Sequence, residues 1–95
     1  METKMEQKTE KRTFRAIAAE VLNLWKTKYG KDLPWSLKCA LPYLQAMLEC
    51  DTTDKDAQYY AETVEGVVIY FLANITNWRG DDAKRIKAEL KSMLK

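Results

Sequence analysis

The chain has 95 residues, of which 46% are hydrophobic and 32% charged, with a net charge of +2 and no histidine. That length suits one domain with its own packed core, and the apolar fraction argues against global disorder. The missing histidine removes the side chain most used for proton transfer near neutral pH and for transition-metal binding, so Ser/His/Asp and Cys/His arrangements are excluded, and neither catalysis nor a cofactor is expected.

The charge is unevenly placed. Residues 1–31 hold eight lysines and arginines against four glutamates, residues 32–66 two against seven acidic side chains, and residues 67–95 six against three. Basic ends around an acidic middle suit contact within one compact domain or a self-complementary oligomer better than a nucleic-acid stripe.

Residues 1–12 are polar and without periodicity, and they read as a flexible N-terminal arm ahead of a single domain over 13–95. Phe14, Ile17, Ala18, Val21, Leu22, Trp25 and Tyr29 then recur at spacings of three and four, which is one face of an amphipathic helix. Gly30 supplies its left-handed stop, and Pro34 follows. Leu37, Ala40, Leu41, Leu44 and Leu48 mark a second helix, with a kink at Pro42 or a restart near Leu41 expected because proline lacks the N–H and clashes with the preceding turn. Asp51 to Asp56 is a polar connector whose Asp or Thr side chains suit a cap. The third helix is predicted from about Ala57 to Thr76, with Tyr60, Val64, Val67, Val68, Phe71 and Ile75 inward. Its middle is apolar nearly all round, as expected of the most buried element. After a Trp78-Arg79-Gly80 turn, Asp81 and Asp82 open a fourth helix with Ala83, Ile86, Leu90, Met93 and Leu94 as its stripe. Lys91 and Lys95 near its end match the helix dipole. The expected fold is therefore all-α, a small bundle of four helices with the second kinked at Pro42.

No secretory signal and no apolar run of ~20 residues is visible, which gives a cytoplasmic expectation without membrane insertion. Cys39 and Cys50 on one continuous helix would lie about 16 Å apart, beyond disulfide reach. Reduced thiols fit that compartment, and Asn74-Ile75-Thr76 then reads as an accidental glycosylation triplet.

Several motifs reduce to ordinary structure. Asp54, Asp56, Gln58, Glu62 and Glu65 have the spacing of a calcium loop, but Tyr59 stands where the sharp turn needs glycine, so no metal is expected. Glu62 and Glu65 read as helix surface. Arg79-Gly80-Asp81 spells an integrin tripeptide but reads as the opening of a helix. Lys84, Lys87, Lys91 and Lys95 line one flank of the last helix and form the alternative, nucleic-acid-binding surface. The second helix, with Lys38 as its basic residue, makes a poor recognition helix.

The aromatics point further. Trp35 and Trp78 sit in connectors, while Tyr43, Tyr59 and Tyr70 fall off the apolar stripes. Surplus aromatics and arginine concentrate binding energy at interfaces, which makes Trp35, Trp78 and Arg79 the candidate partner-binding residues. The expected function is thus a non-enzymatic protein–protein interaction module, with a protein partner or a homodimer. A third reading is a small inhibitor that docks on a host or defence protein through its acidic middle, Glu49 to Glu65.

The segments Val68-Ile-Tyr-Phe-Leu-Ala-Asn74 and Trp78-Arg-Gly-Asp-Asp-Ala-Lys-Arg-Ile-Lys-Ala-Glu-Leu90 resemble small uncharacterised proteins of bacterial prophages and integrative elements. The resemblance implies a bacterial, cytoplasmic accessory protein and carries over no functional residue.

Overall fold

Thr13 begins the first helix in the computed structural model, which describes residues 12–95. Helix α1, Phe14–Tyr29, has Thr13 as N-cap, its hydroxyl accepting from the Ala16 N–H at 3.0 Å. The Phe14 and Arg15 N–H groups donate to the Thr52 and Cys50 carbonyls at 2.9 and 3.0 Å. The amide donors that a helix start leaves open are therefore taken up by the chain itself. Gly30 ends the helix at φ 57°, a conformation that side chains with a Cβ resist. Phe14, Ile17, Ala18, Val21 and Trp25 are buried along the predicted stripe.

Of the kink and the restart expected around Pro42, the chain shows the restart. Helix α2, Trp35–Lys38, stops at Cys39, and helix α3 runs Leu41–Leu48. The break falls before Pro42 because proline is tolerated in the first turn, where its missing N–H would have had no helical partner. Cys39 and Cys50 consequently do not share a helix. Cys39 is exposed, and Cys50 is buried just past α3, its thiol donating to the Ala46 carbonyl at 3.3 Å. Burial pushes the Cys50 thiol pKa up, with nearby Glu49 adding to the effect.

Helix α4 is shorter than predicted. It spans Val64–Ala73, and residues 58–63 form a small antiparallel hairpin instead. Strand β1, Gln58–Tyr59, pairs with β2, Glu62–Thr63, in the register Gln58 to Thr63 and Tyr59 to Glu62. Thr63 then caps α4 by accepting from the Gly66 N–H at 3.2 Å, while the Val64 and Glu65 amides donate back to Ala57 and Lys55. Those bonds to the connector compete with a helical start at Ala57, and Tyr60 turns outward as a result. At the other end, the Asn74 side-chain amide donates to the Tyr70 carbonyl at 2.8 Å and closes the helix.

Helix α5, Asp81–Met93, follows Gly80, whose φ of 112° and ψ of 177° belong to glycine. The integrin-like tripeptide is thus the start of a helix. Among the described residues the fold is five helices, four of them longer than one turn, with one two-stranded hairpin. Helix α3 packs between α1 and α4, and α5 lies against α1. Phe14, Phe71, Leu44, Met47, Ile75 and Ile86 are among the fully buried side chains.

An ion network ties the outside of α1 to α5. The Arg12 guanidinium bonds Glu20 at 2.8 Å and Glu89 at 2.6 Å, and Arg85 bonds Glu20 and Asp82. Hydrogen bonds from Arg85 first, and then from Arg12, hold the Glu20 carboxyl below its ordinary pKa, against some opposition from burial. Arg12 thus reaches both α1 and α5. The remainder of the predicted arm, residues 1–11, lies outside the described residues.

Candidate protein-interaction groove

The predicted partner-binding residues part company. Trp35 is 77% exposed on the short helix α2. Trp78 is 4% exposed, its ring edge-on to Trp25 with centroids 5.5 Å apart. Its large apolar surface is covered by the chain's own core. Arg79 is exposed beside it, on the rim of a cleft of about 510 Å³ that also takes in Lys28 and the start of α5. The Trp25 indole nitrogen is buried without a hydrogen-bond partner among the described residues.

The lysine row is similarly divided. Lys84, Lys91 and Lys95 are exposed. Lys87 is half-buried and directs its ammonium to the Trp78 carbonyl at 2.7 Å, so it pins the turn instead of facing solvent. Burial lowers its pKa, and Lys91 and Arg79 add to that direction.

What the fold does assemble is a tyrosine cluster. Four tyrosines, Tyr43, Tyr59, Tyr60 and Tyr70, line one groove of about 490 Å³ between α3, the hairpin and α4. The chain has five tyrosines, so nearly all of them converge here. Tyr43 and Tyr70 stack across the two helices, with centroids 5.6 Å apart and ring planes 28° from parallel. Tyr59 and Tyr60 meet edge to face at 4.7 Å. Such pairs contribute roughly 0.5–1.5 kcal/mol beyond area burial, and they hold each ring's position. The Tyr59 hydroxyl donates to Glu49 at 3.2 Å. Partial burial and that carboxylate raise the Tyr59 pKa.

Two features set this groove apart from ordinary surface. Tyr60 is 81% exposed, and Ile69 and Tyr70 are each 49% exposed. Helix α4 was expected to be the most buried element; its outer side is instead uncovered among the described residues. In addition, Tyr60 holds φ 54° at the hairpin tip. A bulky side chain there stores strain of order 1–3 kcal/mol, where Asn or Gly would be relaxed.

Tyr43, Tyr59 and Tyr70 stand off the apolar stripes of the sequence, whereas Tyr60, expected to face inward, is exposed. The missed signal was their spacing around the connector, which folds three elements onto one another. Among the described residues, no set of three or more Cys, Asp or Glu side chains is placed to hold a metal ion. No described helix is long and apolar enough to cross a membrane.

No protein-family model matches the chain, and neither a curated protein nor a solved structure is detectably similar to it.

Proposed function

We propose that the chain is a non-enzymatic protein-interaction module that docks another protein chain in the tyrosine groove, with Trp35 as a second exposed anchor. The observation that carries this reading is Tyr60, a large aromatic ring held almost fully in solvent on a strained backbone. Strain at an exposed ring contributes nothing to the core, whereas rigid aromatic side chains are the usual anchors of interfaces. The groove is favoured over the lysine row because Lys87 is committed to the Trp78 carbonyl. The resemblance of Val68–Asn74 and Trp78–Leu90 to prophage proteins supports a setting in a bacterial cytoplasm, as an accessory protein of a mobile element.

The test compares the parent chain with a Tyr60→Ser, Tyr70→Ser double variant. Affinity capture from a bacterial host, read by mass spectrometry, should show partners lost from the variant, while circular dichroism shows the same helical fold. Equal capture by both proteins, with equal sedimentation at micromolar concentration, would remove the groove from the interface.

A further inference from the structure

We infer that the occupant of the tyrosine groove is a basic peptide segment of a partner protein, which presents arginine or lysine to the tyrosine faces. This rests on the interaction reading above and specifies the chemistry of the partner. Tyr43, Tyr59, Tyr60 and Tyr70 offer ring faces and edges around an open groove, and Glu62 contributes the one acidic side chain to its lining. Glu49 stands at its border, held by the Tyr59 hydroxyl.

Charge continues the pattern outward. Between Glu49 and Glu65 the chain has six carboxylates and a single cation, Lys55. That lysine is paired to Asp56 at 3.1 Å, with Glu65 also acting on it. The groove lining itself contains no lysine or arginine. Aromatic faces attract cations through their quadrupole, and a guanidinium can stack on a ring while bonding a carboxylate. An acidic or neutral apolar segment would bring no such gain and would leave Glu62 desolvated against it.

The second copy of this chain is a weaker candidate occupant. On its α5, Arg85 is already paired within its own fold and half-buried Lys87 is tied to Trp78, which leaves Lys84, Lys91 and Lys95, point charges without the planar group that stacks on a ring.

The experiment uses the full chain and three short fluorescent peptides of equal length. They share the same leucines and carry arginine, glutamine or glutamate at the remaining positions. Fluorescence anisotropy should rank arginine above glutamine by about tenfold or more, with glutamate weakest. The arginine peptide should lose affinity as salt is raised, through screening of exposed carboxylates. Tyr70→Ser should weaken the arginine peptide by about tenfold or more. Glu62→Gln should narrow the gap between the arginine and glutamine peptides without altering binding of the latter. Tyr70→Ser gives up the stack on Tyr43 and should lower the melting temperature by several degrees while circular dichroism shows the same helical fold; Tyr60→Ser provides a second variant at the exposed tip.

Equal binding of the arginine and glutamine peptides, both lost in Tyr70→Ser, would overturn the cationic occupant and leave the groove an interface. Binding of none of the three, with a dimer in sedimentation that Tyr70→Ser dissolves, would also overturn it and seat a second copy there. Arginine-peptide binding unaffected by Tyr70→Ser, Tyr60→Ser and Glu62→Gln would overturn the groove itself.

Discussion

Two corners of this molecule solve the same problem in opposite ways. At one, Trp78 leaves a connector and turns in against Trp25, Lys87 pins its carbonyl, and the ion network of Arg12, Glu20, Arg85 and Glu89 crosses the helices nearby. At the other, Tyr43, Tyr59, Tyr60 and Tyr70 gather on a groove that the described chain leaves open. Both corners are rich in aromatic surface. The first covers it with its own helices, and the second keeps it in water at the expense of a strained hairpin tip. Aromatic surplus in a small domain is therefore no single signal; which corner it occupies decides whether the fold covers it or leaves it open.

The comparison breaks first at the tryptophans. Trp78→Ala removes an almost wholly buried ring and should destabilise by about 3–5 kcal/mol, a large part of a domain total near 5–15 kcal/mol. Phe71→Ala, in the same buried cluster against Trp25, should cost a similar amount. Trp35→Ala should stay within about 0.5 kcal/mol, as expected of an exposed side chain. Chemical denaturation of the three variants measures all of this. Equal costs at Trp35 and Trp78 would mean that the two connectors are not different in kind.

The ionic side of the closed corner should show in acid. The Glu20 carboxyl titrates below its ordinary value of 4.5, because the folded state favours its charged form. Its contribution is complete above about pH 5 and is lost as pH falls below 4.5 and on through the lowered folded value, since the unfolded chain takes up the proton first. Glu20→Gln should therefore cost on the order of 0.5–1 kcal/mol at neutral pH, the range of exposed ion pairs, and should flatten the acid limb of stability against pH. An unchanged acid limb would mean that the network orders side chains without stabilising the fold.

The closed corner was more legible in the sequence than the open one. The apolar stripes predicted the buried faces of α1, α4 and α5 closely, because period-3.6 spacing directly encodes which side chains share a helix face; in α3 Leu44 is buried as expected, Leu41 and Leu48 only partly, and Met47, off the stripe, is buried. The stripes could not encode the hairpin. Residues 57–63 continue a helical pattern in sequence, and what stops the helix is a pair of backbone bonds back to the connector, Val64 to Ala57 and Glu65 to Lys55, together with the Thr63 cap. Pro42 was legible as a break, but its place in a first turn follows from packing. The candidate site was half legible. Tyr43, Tyr59 and Tyr70 stood off the stripes, yet their convergence needs the hairpin that sequence periodicity concealed.

The smallest stability effect sharpens the comparison most. At Tyr60, glycine would relieve a left-handed backbone that disfavours an L side chain by roughly 1–2 kcal/mol. Against that gain, Tyr60→Gly loses the edge-to-face contact with Tyr59, roughly 0.5–1.5 kcal/mol. Glycine also releases more entropy on unfolding, about 0.5–1 kcal/mol. The terms nearly cancel, so the melting midpoint should move by only a few degrees in either direction. Binding has no such cancellation, because the ring that would cover the partner is gone. A variant with near-parent stability that loses its partner would show that the strain at the hairpin tip is maintained for recognition. A marked loss of stability would instead make Tyr60 a structural clasp for the hairpin, and the two corners would then differ only in degree.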